Sequence, residues 1–187
     1  MGQPQLWVVR HGETEWSRLR RHTGRTDLPL TEEGEADAGK LADRLRGVPF
    51  DVVLSSPLQR AYRTAELAGL NPQRDPRAVE WDYGEYEGRT TEEIRREVPD
   101  WSIWVDPVPG GETLAQVADR ADAVIARVRR EAPERALLVA HAHLLRILAA
   151  RWIDQPAVLA EYLLLDTATV SVLGWDRGSP ALVRWNG

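Results

Sequence analysis

Three short apolar runs, each stopping abruptly at a residue that carries chemistry, constrain this chain more than any other feature. Leu6-Trp7-Val8-Val9 ends in Arg10-His11-Gly12, Asp51-Val52-Val53-Leu54 runs into Ser55-Ser56-Pro57, and Ala136-Leu137-Leu138-Val139-Ala140 ends at His141. Runs this short and this apolar read as buried strands rather than helices. Helical patterns stand between them. One is expected over 31–46, with Thr31 at its start and Glu32 and Glu33 in its first turn, where the helix dipole favours negative charge. Ser56-Pro57-Leu58-Gln59 reads as a capping box with proline at N1. Thr90-Thr91-Glu92-Glu93 and Thr113-Leu114-Ala115-Gln116 repeat the box. The last opens a helix whose apolar stripe runs through Leu114, Val117, Ala118, Ala121, Val124, Ile125 and Val128. A further helix is expected over 143–153, and Thr169 to Trp175 alternates as a late strand. Strands alternating with helices predict an α/β fold: three layers, a mostly parallel central sheet, helices on both faces.

Composition narrows the functional classes. The 187 residues suggest one domain spanning 1–187, long enough to bury roughly 70% of the unfolded surface without a disulfide or metal. Cysteine is absent, which removes thiol catalysis and thiolate metal sites. The apolar run before Arg10 is too short for a signal-peptide core, and the stretch from Leu144 to Ile153 is broken by Arg146 and Arg151. A cytoplasmic protein that spans no membrane is expected. The net charge of −5 argues against a nucleic-acid partner. Arg10, Arg18, Arg20, Arg21 and Arg25 nevertheless crowd one stretch, a local positive field suited to a small anion. Taken singly, Arg18, Arg20 and Arg21 read as solvated loop charge.

Ligands of open α/β sheets bind beyond the carboxyl ends of the strands, where Arg10, His11 and His141 fall. An arginine beside a histidine suits a phosphorylated ligand: the guanidinium holds oxygens and the imidazole can attack phosphorus. Arg60 is expected at the fourth position behind the Ser56 cap, near a positive helix end. Glu80 stands in the acidic-aromatic loop from Glu80 to Gly88. Each has a plainer reading: helix surface charge for Arg60, a hydrogen-bonded core histidine for His141, loop solvation for Glu80. The run Pro99–Gly111 reads as a loop over the site, with Trp101 and Trp104 either forming a substrate wall or simply packing.

The ordered series Val9-Arg10-His11-Gly12-Glu13-Thr14, Thr23 to Thr31, Ser55 to Ala61, Arg63-Thr64-Ala65, Glu80 to Gly88, Gly110-Gly111-Glu112 and Val139-Ala140-His141 resembles the histidine phosphatase superfamily in its phosphoglycerate-mutase-like branch. Glu80-Trp81-Asp82-Tyr83-Gly84 and Ala140-His141-Ala142-His143 are most similar to members of the acid-phosphatase and sedoheptulose-bisphosphatase type. The resemblance implies a phosphoglycerate-mutase-like fold and a phosphoric monoester hydrolase acting on small phosphorylated metabolites, sugar phosphates first. It implies His11 as the nucleophile that becomes a phosphohistidine, and Arg10, Arg60 and His141 neutralising the phosphoryl oxygens. Glu80 would be the acid and then the base, which requires it protonated while His11 is neutral, against their usual order. Ser17, Thr23, Gly24 and Ala142 would be donors around the phosphate, and Trp81 and Tyr83 its outer wall; no metal or other cofactor is implied.

Two positions depart from the family pattern. Ser17 stands where many members have asparagine, and Ala142 where many have glycine; alanine there carries a cost if the backbone needs a positive φ. A cofactor-dependent phosphoglycerate mutase is the alternative reading, disfavoured because few spare cations lie near Pro99–Gly111. Two other classes remain in view: a zinc hydrolase built on His141-Ala142-His143, and a non-catalytic protein that binds a phosphate ligand. His143 reads as supporting packing, and His22 either lies at the mouth of the site or is solvated. The late strand and Trp175 either pack in the core or pair with another chain, which leaves a homodimer open.

Overall fold

In the computed structural model, which describes residues 3–187, the apolar runs become the inner strands of one sheet. The strands among the described residues are β1 (Gln5–Arg10), β2 (Val52–Ser55), β3 (Gln73–Arg74), β4 (Arg135–Ala140), β5 (Val170–Asp176) and β6 (Ser179–Arg184). The α-helices are α1 (Glu15–Arg18), α2 (Glu32–Leu45), α3 (Gln59–Leu67), α4 (Thr91–Arg95), α5 (Leu114–Glu131) and α6 (Ala142–Trp152). The strand order is β3-β2-β4-β1-β5-β6.

Alternation along the strands assigns the two faces. Leu6 and Val8 of β1 with Ala136, Leu138 and Ala140 of β4 join the apolar stripes of α5 and α6 in one core cluster. Val9 with Leu137 and Val139 meets Leu41 and Leu45 of α2 and Ala61 and Ala65 of α3 on the other face. Helices on both faces explain why the central strands are apolar throughout. Leu138 is fully buried at the sheet centre; Leu138→Ala would cost about 2–5 kcal/mol in lost burial and cavity.

The expected sheet needs amendment at one edge. β2 pairs in parallel with β3 and β4, and β1 with β4, but β5 runs antiparallel to β1 and to β6. Five strands thus share one direction and β5 opposes them. Val170 to Gly174 are all buried, because β5 lies inside the sheet rather than alternating between core and solvent. The edge is β6, reached through a tight turn in which Arg177 (φ 50°) and Gly178 (φ 89°) are left-handed, as a two-residue hairpin of twisted strands requires. Trp175 packs within the chain, its ring 5.6 Å from that of Trp152 and its Nε1 donating to the Pro4 carbonyl at 2.9 Å.

The helix starts hold in three places. Thr31, Thr90 and Thr113 each accept from the N3 amide, and the last two form full capping boxes with Glu93 and Gln116. The fourth does not. α3 begins at Gln59 after Leu58, with no side-chain cap, so Arg60 is its second residue rather than its fourth. The Ser56 hydroxyl lies 2.8 Å from His141 Nε2 instead.

Candidate active site

β1 and β4 are adjacent, with Arg10 opposite Ala140 in register. Their next residues, His11 and His141, therefore emerge side by side, with ring centroids 5.1 Å apart. β1 leads past β4 to β2, whereas β4 leads past β1 to β5. That reversal of direction opens the crevice at the strand ends, and a cavity of about 470 Å³ lies there.

His11 is buried but lines this cavity. Its Nδ1 is 2.7 Å from the Gly12 carbonyl. A carbonyl only accepts, so Nδ1 carries the proton and Nε2 keeps its lone pair. Burial, then the charges of Arg60 and Arg10, hold His11 well below the ordinary histidine range. Gly12 is fastened in turn, its amide donating to the Thr64 hydroxyl at 2.9 Å. Any Cβ on Gly12 would collide with the Gly34 carbonyl, because the first turn of α2 presses directly on this loop.

Arg10 reaches the Leu165 carbonyl through Nη1 at 2.5 Å, while its buried Nε has no protein acceptor. Arg60 departs from expectation. It is fully buried, away from the cavity lining. Its Nε donates to His141 Nδ1 at 3.2 Å, and its Nη atoms donate to the carbonyls of Thr26, Thr23 and Gly24. The loop supplying those carbonyls is pinned by Glu87, whose Oε1 accepts from the amides of Gly24 and Thr26 at 2.9 and 3.0 Å. His141 is also fully buried, and Ser56 and Arg60 occupy both its ring nitrogens. Burial and Arg60 keep it well below the usual histidine range. Arg60 and His141 thus form a layer behind His11 rather than contacts on the cavity wall.

Glu80 does face the cavity. Its Oε1 accepts from the amides of Trp81 and Leu144, both at 2.9 Å, and its Oε2 from the amide of His143 at 3.0 Å. The carboxylate thereby satisfies amides at the start of α6 that no helix carbonyl can reach. Its loop is braced by the Arg120–Glu112 ion pair at 2.8 Å, with Arg120 also holding the carbonyls of Val79 and Glu80.

Of the expected donors, Ser17, Thr23 and Ala142 line the cavity and Gly24 does not. Ser17 accepts from the Thr14 amide and donates to the Thr14 carbonyl, which closes the capping box of α1. Ala142 is absent from the positive-φ residues, so alanine sits there without strain. Tyr83 is on the wall, but Trp81 is buried beneath it, its Nε1 donating to the Glu112 carbonyl at 2.8 Å. Trp101 and Trp104 pack beneath the wall too, against His22 at 5.7 Å and His143 at 5.1 Å.

The arginine-rich stretch read as a positive field does reach the cavity, including three residues read singly as solvated loop charge. Arg18, Arg20 and Arg21 rim the cavity. Arg18 pairs with Glu15 and Arg21 with Glu93, while Arg20, at φ 55°, makes no ion pair among the described residues. Arg146 lies three residues beyond His143 on α6, the spacing that puts two side chains on one face; that signal was available. Leu164 to Thr167 closes the far side, and no local pattern marks it. The zinc reading loses its geometry, since both ring nitrogens of His141 are taken by protein groups. Among the described residues no group of three or more His, Cys, Asp or Glu is placed to hold a metal.

The crevice at the sheet reversal holds a lone-pair imidazole among guanidinium groups, an arrangement suited to a small anionic ligand. Residues 6–187 match the model of the histidine phosphatase superfamily, branch 1. The chain belongs to that family. It is 40% identical over 179 residues to an acid phosphatase of Mycobacterium tuberculosis, covering 93% of this chain and 88% of the relative. It is 35% identical over 184 residues to sedoheptulose 1,7-bisphosphatase of Saccharomyces cerevisiae, covering 80% and 67%. The solved structure of a Mycobacterium tuberculosis open reading frame superposes with a TM-score of 0.93 at 37% identity, covering 98% of this chain and 97% of that one. No helix among the described residues is long and apolar enough to cross a membrane.

Proposed function

We propose that this protein is a phosphomonoesterase that hydrolyses small sugar phosphates through a phosphohistidine on His11. The observation that carries the reading is the fixed tautomer of His11: Nδ1–H is tied to the Gly12 carbonyl, so the Nε2 lone pair faces an arginine-lined cavity. The names of the two relatives, an acid phosphatase and a sugar bisphosphatase, support the substrate class.

In the first step Nε2 attacks phosphorus, the P–N bond forms and the P–O ester bond breaks. Glu80 passes its proton to the departing alkoxide; Oε2, with a single amide bond, has room to carry that proton. In the second step Glu80 takes a proton from water, whose oxygen attacks phosphorus and releases His11 and inorganic phosphate. Arg10 lines the cavity and supplies positive charge to the phosphoryl oxygens. Burial, then the charges of Arg60 and Arg10, keep His11 neutral, and Arg60, one layer back, holds the loop at 23–26 through its carbonyls. Preorganised positive charge of this kind is the main protein contribution to phosphoryl transfer.

The test is hydrolysis of p-nitrophenyl phosphate and a panel of sugar phosphates, with EDTA present, by wild type and His11→Ala. EDTA-resistant turnover that disappears in the variant supports the reading. Binding without turnover in wild type would favour a non-catalytic phosphate binder, and turnover surviving in His11→Ala would overturn the mechanism.

A further inference from the structure

Tyr83 and His143 are not used in the steps above, yet both line the cavity. The Tyr83 hydroxyl lies 2.5 Å from His143 Nδ1. A phenol is a far stronger donor than a neutral imidazole N–H, and an imidazole lone pair the stronger acceptor. Tyr83 therefore donates, Nδ1 accepts, and the His143 proton resides on Nε2. Among the described residues no group accepts from that nitrogen, and it is not among the buried side-chain atoms left without a partner; it is an open donor on a half-buried residue. The ring is clamped edge-on by Trp104 at 5.1 Å and stacked on His22 at 6.3 Å. Its own amide donates to Glu80 Oε2, which places the imidazole beside the carboxyl that serves the leaving oxygen.

We propose that His143 is a specificity residue whose Nε2–H donates to an acceptor oxygen on the alcohol being released, with Tyr83 as the positioning residue that fixes its tautomer. The inference rests on the phosphatase reading and refines it: the favoured substrates are phosphate esters of polyols, whose neighbouring hydroxyls offer that acceptor. Burial, then the charge of Arg146, holds His143 well below the ordinary histidine range, so the ring stays a neutral donor. Burial likewise keeps Tyr83 a phenol.

The experiment compares erythritol 4-phosphate with phenyl phosphate, whose leaving group has no second oxygen. In His143→Phe and Tyr83→Phe, kcat/KM for the polyol ester is expected to fall roughly tenfold to a hundredfold, while that for phenyl phosphate changes less than about threefold. Nitrogen-15 NMR of the wild-type imidazole is expected to show Nε2 protonated and Nδ1 bare, and Tyr83→Phe to mix the tautomers. Equal losses on both esters, or a proton on Nδ1 in wild type, would overturn the proposal. If wild type hydrolyses neither ester the phosphatase reading fails by itself; the donor assignment is then read from the Nε2–H resonance, which must shift when erythritol 4-phosphate is added.

Discussion

Arg60 Nε donates to His141 Nδ1 at 3.2 Å, and His141 Nε2 is left facing the Ser56 hydroxyl at 2.8 Å. Strand ends β2 and β4 and helix α3 are thus joined through one planar fork whose other arms hold Thr23, Gly24 and Thr26. Lysine keeps the charge but not the fork. Arg60→Lys is expected to lower kcat by roughly a hundredfold, the scale of a misplaced catalytic group, with a smaller change in the urea midpoint. Near-normal kcat would show that the fork does not position the site.

Gly34 tests the packing beneath the nucleophile. A Cβ there would overlap the Glu13 carbonyl, a backbone atom with nowhere to move. Gly34→Ala should cost about 1–3 kcal/mol in urea denaturation, as overpacking does, and lower activity by displacing the loop that carries His11. Gly39, in the same helix, has open space around its Cβ position, so Gly39→Ala serves as the control and should be neutral or slightly stabilising.

Much of this was legible in the chain before any coordinates. The strands were readable because both faces of the sheet are covered, which forces continuous apolar runs. His11 and Glu80 were readable because each sits where a strand or loop meets the crevice. Arg60 was legible as a site residue but not in its role: periodicity locates a residue on a helix, not the carbonyls its donors will meet. Ser56 misled for a related reason: its hydroxyl accepts from the Leu58 amide at 3.3 Å and meets His141 Nε2 at 2.8 Å, while the Gln59 amide that the box would have used goes to Asp27, far away in the chain, at 2.8 Å. Leu164–Thr167 is brought to the cavity by tertiary packing, on which local sequence is silent, whereas Arg146 was signalled by its three-residue spacing from His143.

Glu80→Gln should separate the leaving groups. Glutamine retains one acceptor oxygen for the α6 amides but can neither give nor take the proton. Sugar phosphates, with strongly basic alkoxides, are expected to lose roughly 10² to 10⁴ in kcat, and p-nitrophenyl phosphate markedly less. Comparable losses on both would contradict acid catalysis by Glu80.

Stability should fall in mild acid. Burial lowers His11, His141 and His143 well below the ordinary value of 6.5, and His22 to about 4. Below pH 6.5 the unfolded chain takes up protons that the folded chain refuses. Each such histidine then contributes a loss of about 1.4 kcal/mol per pH unit until its folded-state value is reached; for His22 the loss ends near pH 4. Urea midpoints should therefore be lower at pH 5 than at pH 7, and an equal or higher midpoint at pH 5 would contradict neutral buried imidazoles. The same shift keeps the nucleophile competent: an unshifted histidine would be protonated roughly thirtyfold over at pH 5, whereas turnover here should persist.

The most direct test of the central claim is a rapid acid-free quench of the enzyme with phosphorus-32-labelled p-nitrophenyl phosphate, followed by denaturing electrophoresis. The account predicts a transient phosphoprotein, stable to alkali and lost in acid as a phosphoramidate is, present in wild type and absent in His11→Ala. Product formation with no labelled protein at any time, or label retained in His11→Ala, would contradict it.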